Sequence, residues 1–291
     1  MTAKIIDGRK ISTEIQEELE ERVKILKAKG VTPGLAVVKV GENPASASYV
    51  RVKTRKSEQI GIYSKTFEYP EISEEELLLD IEALNRDSRF HGILVQLPLP
   101  KSITEIKALN AVDPAKDVDG FHPINMGKLL NGCPEFVPCT VAGIQYLLTR
   151  SGHDPKGKRV VIIGAGQVGR PLGALLIQNR PGARAAAVTM VDFEERDLAF
   201  HTKKADILIV SVGIAKLITA DMVKDGVVVI DVGVNQIGKT ADGKRILAGD
   251  VDFDAVKEKA SAITPVPGGV GPMTVIMLMQ NTIQAAESFL G

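Results

Sequence analysis

Apolar residues along this chain repeat with two alternating periods. Between 7 and 29, Ile11, Ile15, Leu19, Val23 and Leu26 fall on one helical stripe and Gly30 closes the run, so the pattern predicts a first helix. GLAVVKV (34–40) reads as a buried strand, 44–60 as a helix and IYSKTFEY (62–69) as a strand. SEEELLLDIEALNR (73–86) follows as a helix and GILVQLP (92–98) as a strand. A second block starts near 158. KRVVII is a strand, VGRPLGALLIQNR a helix, RAAAVTMV a strand, and DILIVSVG and GVVVIDVG two more strands. Such alternation predicts parallel βαβ units and an α/β fold. PLPKS and NGCPEFVPCT carry the prolines and glycine of connecting loops. The tail from 273, MTVIMLMQNTIQAAESFL, reads as an apolar helix, and it need not pack on the domain whose last strand it follows.

Composition narrows the class. A chain of 291 residues is long enough for two domains with their own cores. Lys plus Arg equals Asp plus Glu at 36 each, so no global field draws in nucleic acid or an anionic membrane. Trp is absent and aromatics make up only 4%, which disfavours base-stacking surfaces. The longest apolar runs fall far short of the ~20 residues of a membrane span, and MTAKIIDGRK has no apolar signal core. Cys133 and Cys139 read as reduced thiols in a cytoplasmic protein. No zinc-type spacing occurs and the four histidines are scattered, so no metal is expected.

The stretch VIIGAGQVGR (161–170) carries the first chemistry. Gly164, Gly166 and Gly169 form G-x-G-x-x-G between an expected strand and an expected helix. The first glycine permits the tight turn, the second a close approach to a pyrophosphate, and the third close helix–strand packing. The anion then sits on the helix N-terminus. Ala165, Gln167 and Val168 complete the loop. Asp192 ends the next strand, 23 residues after Gly169, where a carboxylate accepts hydrogen bonds from the ribose of NAD. NADP carries a phosphate there, and each unit of like charge at ~4 Å costs ~1 to 4 kcal/mol depending on the dielectric. Two plainer roles for Asp192 stay open: capping the next helix, or pairing with Arg196.

PASASYVRVK places Tyr49 and Lys53 four residues apart, on one face of a helix. Taken alone, the pair favours the plainer reading of Lys53 as a surface lysine on an amphipathic helix, and Lys56 on the same helix reads equally as a solvated charge. Three further segments change the weighing. GILVQLPLP puts Gln96 at the end of an apolar strand. KDVDGFHPINMGKL is rich in turn residues around Asp117 and Asp119. TPVPGGVGPMT packs glycines and prolines between Thr264 and Thr274 in what reads as a rigid loop.

Together YVRVK, GILVQLPLP, KDVDGFHPINMGKL, PCT and TPVPGGVGPMT, in this order over nearly the whole chain, closely resemble the methylenetetrahydrofolate dehydrogenase/cyclohydrolase family. The resemblance implies two domains with a folate-binding cleft between them. The first is an N-terminal α/β domain, 1–136, completed by the C-terminal helix 273–291; the second is a Rossmann-type dinucleotide-binding domain, 137–272. It implies Lys53 as the catalytic lysine, with Tyr49 stacking on or bordering the folate, Gln96 bonding near the lysine, and Asp119 holding the pterin. Gly271, Pro272 and Thr274 line the folate and nicotinamide, and Thr140, Gly213 and Gly233 lie close to the cofactor. A homodimer through the Rossmann domains, and a place in one-carbon metabolism with purine biosynthesis, are implied as well. The departure is the glycine loop. Where the family usually reads G-R-S-x-x-V-G-x-P, this chain is one residue shorter, with Ala165 and Gly166 in place of Arg and Ser, and with Asp192–Phe193 in place of a His-Ser pair. NAD is therefore expected in preference to NADP.

The implied chemistry has two steps. Hydride leaves the one-carbon bridge of 5,10-methylenetetrahydrofolate, and the resulting cation is delocalised over N–C–N, so the step depends on positioning. Hydrolysis of the methenyl product to 10-formyltetrahydrofolate moves protons and needs a base. Lys53 fits that role if the product cation disfavours its protonation. Two other readings stay open: an NAD-dependent dehydrogenase without hydrolase activity, and a non-catalytic NAD-sensing regulator.

Overall fold

The computed structural model describes residues 2–240 and 243–290, apart from the side chains of residues 44 and 45. The chain opens with β1 (Lys4–Ile5), α1 (Gly8–Ala28), β2 (Gly34–Val40), α2 (Pro44–Ile60), β3 (Tyr63–Tyr69) and α3 (Glu74–Arg86). β4 (Gly92–Val95), α4 (Glu105–Ala111), α5 (Pro123–Leu130) and α6 (Cys139–Arg150) follow. Then come β5 (Arg159–Ile163), α7 (Gly169–Leu176), β6 (Ala187–Val191), α8 (Leu198–Thr202) and β7 (Ile207–Val210). The last part holds β8 (Val228–Asp231), the hairpin β9 (Asn235–Lys239) and β10 (Arg245–Ala248), α9 (Phe253–Val256), β11 (Ala262–Ile263) and α10 (Val270–Ser288). The chain is a two-domain α/β protein with parallel sheets.

Two compact units divide the chain. One comprises 13–139 and 275–291, around a parallel sheet in the order β3-β2-β4. Its central strand β2 is buried at all seven positions, which is why GLAVVKV shows no polar alternation. Leu77, Ile81 and Leu84 of α3 join Ala36, Val38, Phe90, Ile93 and Val95 in one core. Ser73 and Glu76 close a capping box at the start of α3, satisfying backbone N–H groups that have no helical partner.

The other unit comprises 1–12 and 140–274. Its six-stranded sheet runs β1-β11-β8-β7-β5-β6, with every neighbouring pair parallel. From β5 the chain first adds β6 on one side, then returns to add β7 on the other. The strand order therefore reverses between β5 and β7, and ligands of open parallel sheets bind at the carboxyl ends of strands flanking such a reversal.

Several expectations shift. The first twelve residues belong with the six-stranded sheet, because β1 pairs with β11 at Lys4–Ala262 and Ile5–Ile263. NGCPEFVPCT is not wholly a loop, since Cys139 and Thr140 open α6. TPVPGGVGPMT is likewise loop only to residue 269. Val270 starts α10, and Pro272 is tolerated in its first turn, where no helical N–H bond is lost. α7 stops at Leu176 rather than 180, as the chain turns through Pro181 and Gly182. β7 and β8 end earlier than the apolar runs: Ser211 and Val232 each add one more backbone bond, and the amides of Val212, Gly213 and Gly233 then turn to side-chain acceptors.

Candidate active site

Helix α2 buries Val50, Lys53, Ser57 and Ile60, a 3-4-3 spacing that forms one stripe. Lys53 thus occupies a core-facing position of the helix, only 6% exposed. Its Nζ donates to Gln96 Oε1 at 2.9 Å and lies 5.4 Å from the centroid of the Tyr49 ring. Gln96 is fixed in turn. Its backbone N–H donates to Val38 O at 2.8 Å, extending β4 by one bond, and its Nε2 donates to Leu97 O at 2.8 Å. Tyr49 is about half exposed, which leaves its ring face accessible.

Asp119 reaches this site along the sheet. Ile93 N donates to Lys116 O at 2.8 Å, so residues 116–118 run beside β4. Asp117, the other acid of the motif, faces inward. Its carboxylate accepts from Gly120 N at 3.1 Å, His122 N at 2.8 Å and Asn125 Nδ2 at 2.9 Å, which shapes the turn that presents Asp119. From α10, Asn281 Nδ2 donates to Val118 O at 2.9 Å and to Val137 O at 3.1 Å. The segments before Asp119 and before Cys139 are thereby tied together, and Cys139 Sγ donates to Val118 O at 3.3 Å.

The electrostatics follow from burial. Desolvation holds the Lys53 ammonium below its ordinary 10.5, opposed by the charge of Asp119 and then by Cys139. Desolvation raises the Asp119 carboxyl, opposed by Lys53. The buried Cys139 thiol is pushed well above its usual range, by desolvation first and the Asp119 charge second. A largely dehydrated amine, a carboxyl and a carboxamide therefore converge beside an accessible aromatic ring. This set is able to hold a polar heterocycle and move a proton. Lys56, by contrast, donates to Gln16 Oε1 at 2.6 Å.

The expected nucleotide residues lie in the other unit. Gly164 has φ +107°, and a side chain there would meet Ser211 O at 2.1 Å. A side chain on Gly169 would meet Gly164 O at 1.9 Å. The first seats the end of β5 against the end of β7, and the second draws the start of α7 onto the end of β5. Gly166, in contrast, opens onto free space, and Ala165, Gln167 and Val168 are partly or fully exposed. The loop thus leaves its backbone accessible to an anion, as a dinucleotide cradle requires. Asp192 is exposed at the end of β6, where its Oδ1 accepts from Glu194 N at 3.1 Å. It does not cap α8, a role taken by Asp197, and among the described residues no ion pair joins it to Arg196. Thr140 and Thr274 hydroxyls lie 3.1 Å apart, and Gly271 and Pro272 share the first turn of α10 with Thr274. Gly213 has φ +83°, and Gly233 N donates to Asp231 Oδ1 at 3.0 Å.

Residues 6–119 match the model of the tetrahydrofolate dehydrogenase/cyclohydrolase catalytic domain, and residues 138–290 match that of the same enzymes' NAD(P)-binding domain. The chain belongs to the tetrahydrofolate dehydrogenase/cyclohydrolase family. It is 55% identical over 293 residues to the bifunctional protein FolD of Syntrophus aciditrophicus, with all of each chain covered. Among solved structures, the bifunctional FolD of Campylobacter jejuni superposes with a TM-score of 0.91 at 44% identity, covering 99% of each chain. The FolD of Trypanosoma brucei, solved with NADP and an inhibitor, superposes at 0.93 with 37% identity, over 100% of this chain and 99% of that one. As a member of this family the chain is a folate-dependent oxidoreductase and hydrolase of one-carbon metabolism.

The sequence motifs already contained Lys53, Tyr49, Gln96 and Asp119, and folding brings these four together. What they did not disclose is the support. Asn281 lies in an apolar helix with no motif around it. The one signal for it was a polar side chain among VIMLMQNTI, where burial demands partners.

Proposed function

We propose that this enzyme oxidises 5,10-methylenetetrahydrofolate to the methenyl form and hydrolyses that product to 10-formyltetrahydrofolate, with NAD as the hydride acceptor. The observation that carries the hydrolase half is the buried Lys53 amine bonded to Gln96 at 2.9 Å. A lysine bound for solvent has no use for a core-facing position. Asp119 is assigned to the pterin, Tyr49 to the face of the folate, and Gln96 to orienting the amine. Gly271, Pro272 and Thr274 are assigned to folate contact through their motif. Thr140, Gly164 to Gly169, Asp192, Gly213 and Gly233 are assigned to the dinucleotide. When bound, the dinucleotide supplies the hydride-accepting ring.

The protein's own residues do the rest. Hydride loss needs no acid or base, because two nitrogens share the developing charge, so the folate contacts serve mainly to fix its geometry. Hydrolysis then proceeds on a cation. A positive charge beside Lys53 disfavours its protonated form, adding to the desolvation that already lowers its pKa. The neutral amine takes a proton from the attacking water. Gln96 keeps the nitrogen aimed, and the Asp119 charge prevents the pKa from falling further.

Two features favour NAD. Among the described residues the carboxylate of Asp192, at the end of β6, has no ion-pair partner. The loop also carries Ala165 and Gly166, where the family's usual pattern has Arg and Ser. NADP is the competing reading, favoured by its presence in the Trypanosoma brucei structure. Steady-state oxidation of the folate substrate with NAD and NADP at matched concentrations decides between them. We expect kcat/KM to favour NAD by at least ~5-fold, as a Coulomb cost of ~1 kcal/mol or more for one like-charged contact implies. We also expect Asp192→Ser to narrow the ratio by improving NADP. A wild-type preference for NADP sinks the assignment.

A homodimer is part of this reading. β6 forms one edge of the six-stranded sheet, and along it Ala187, Thr189 and Met190 are exposed. Phe193 follows it, and Ile177 lies at the end of α7, which packs on β6. An uncovered edge with apolar side chains is a strand-pairing surface.

A further inference from the structure

The loops that follow β7 and β8 are built on two buried acids. Asp250 is fully buried and Asp231 is 3% exposed. Asp250 Oδ2 accepts from Val212 N at 2.7 Å and from Gly213 N at 2.9 Å, and its Oδ1 accepts from Asn235 Nδ2 at 2.9 Å. Asp231 Oδ1 accepts from Gly233 N and Asp250 N, both at 3.0 Å, and its Oδ2 accepts from Val251 N at 2.9 Å. Three donors on each carboxylate offset much of the cost of burying it. The fit is tight: a side chain on Gly233 would meet Asp250 Oδ1 at 2.1 Å, and one on Gly249 would meet Asp231 Oδ2 at 1.8 Å.

These contacts lie at a decisive place in the sheet. Val212 and Gly213 follow β7, and Gly164 follows β5. The order of strands reverses between these two, and Gly164 is pressed against Ser211 O. The turn at Val212–Gly213 thus forms one wall of the crevice into which the glycine loop opens. Its two amides are both bonded to Asp250.

We propose that Asp250 is a positioning residue for the dinucleotide, fixing the turn after β7 by capturing the Val212 and Gly213 amides. The inference rests on the dinucleotide reading given above. Gly233 takes on a second meaning: it is glycine because Asp250 fills the space its side chain would need. Without the carboxylate, two part-buried N–H groups lose their acceptor, and the turn relaxes toward whatever acceptor it finds. The crevice wall moves, while the Lys53 site, in the other unit, keeps all its own contacts.

The test is kinetic and uses the full chain. Asp250→Ala should raise the KM for the dinucleotide at least tenfold in the dehydrogenase assay. Its kcat, and the hydrolysis of 5,10-methenyltetrahydrofolate without dinucleotide, should stay within threefold of wild type. Asp250→Asn should return the dinucleotide KM to within threefold of wild type. Its amide oxygen can take both backbone N–H groups while the Asn235 amide turns over to accept from the new NH2. An unchanged KM in Asp250→Ala with hydrolysis intact overturns the proposal, and so does an Asn variant as impaired as the Ala variant. If Asp250→Ala does not fold, Asn235→Leu removes one donor; a threefold or larger rise in dinucleotide KM then supports the role and no rise overturns it. A wild-type enzyme inactive with both NAD and NADP would instead refute the dinucleotide reading itself.

Discussion

Lys53 shows how one residue takes its meaning from its surroundings. On α2 it follows Val50 and precedes Ser57 and Ile60 along the buried stripe. Removing its ammonium from water lowers its pKa, and the listening partners are Gln96 and Asp119. A lowered lysine pKa enlarges the neutral, proton-accepting fraction at a given pH. The enzyme-catalysed hydrolysis rate should therefore climb with pH and level off below the ordinary lysine value of 10.5. Lys53→Met should reduce hydrolysis by roughly 10²-fold or more, the usual scale of a lost general base, with hydride transfer still measurable. Absorbance of the methenyl intermediate reports both, because it should accumulate in the variant and pass through quickly in the wild type. Rapid hydrolysis by the variant would remove Lys53 from the role of base.

At the scale of elements, the support for that lysine comes from α10. Met277, Met279, Ile283 and Ala286 are buried there, Ser57 donates to Met279 Sδ at 3.1 Å, and Asn281 spends both amide protons on the carbonyls of Val118 and Val137. Replacing Asn281 with Leu keeps volume but takes its donor from Val137 O and leaves Val118 O with only the weak Cys139 thiol, at ~1 to 3 kcal/mol in all. Asn281→Leu should lower the thermal unfolding midpoint by several degrees. It should also weaken hydrolysis more than hydride transfer, because the carbonyls it releases flank Asp119 and Cys139. A variant as stable as wild type would show that these bonds contribute little.

For the whole molecule, the two units hold different sets: one the Lys53–Gln96–Asp119 cluster, the other the glycine loop. The exposed β6 edge sets the expected assembly. In sedimentation the wild type should run as a dimer and Met190→Asp, which puts a charge on the edge strand, as a monomer. A wild type that is monomeric at micromolar concentration would leave that edge without a partner.

The order of strands and helices was readable in the chain because β2, β5, β7 and β8 are buried on both faces over nearly all their length and so appear as near-continuous apolar runs. The short elements β1, β9, β10 and β11 were not readable, since two to five residues hold no periodic signal and their pairing is with distant segments. Lys53, Gln96 and Asp119 stood out as polar residues in specific motifs, and the glycine loop stood out by its spacing. These local features were determined by sequence alone, because dihedral preference and periodicity are short-range. Tertiary structure alone decided that residues 1–12 join the six-stranded sheet and that Lys53 faces inward. It also decided that Asn281 and Asp250 hold the loops on which the candidate sites depend. Each of those outcomes is a contact between segments far apart in the chain, and a buried polar group finds its partner only once the chain has folded around it.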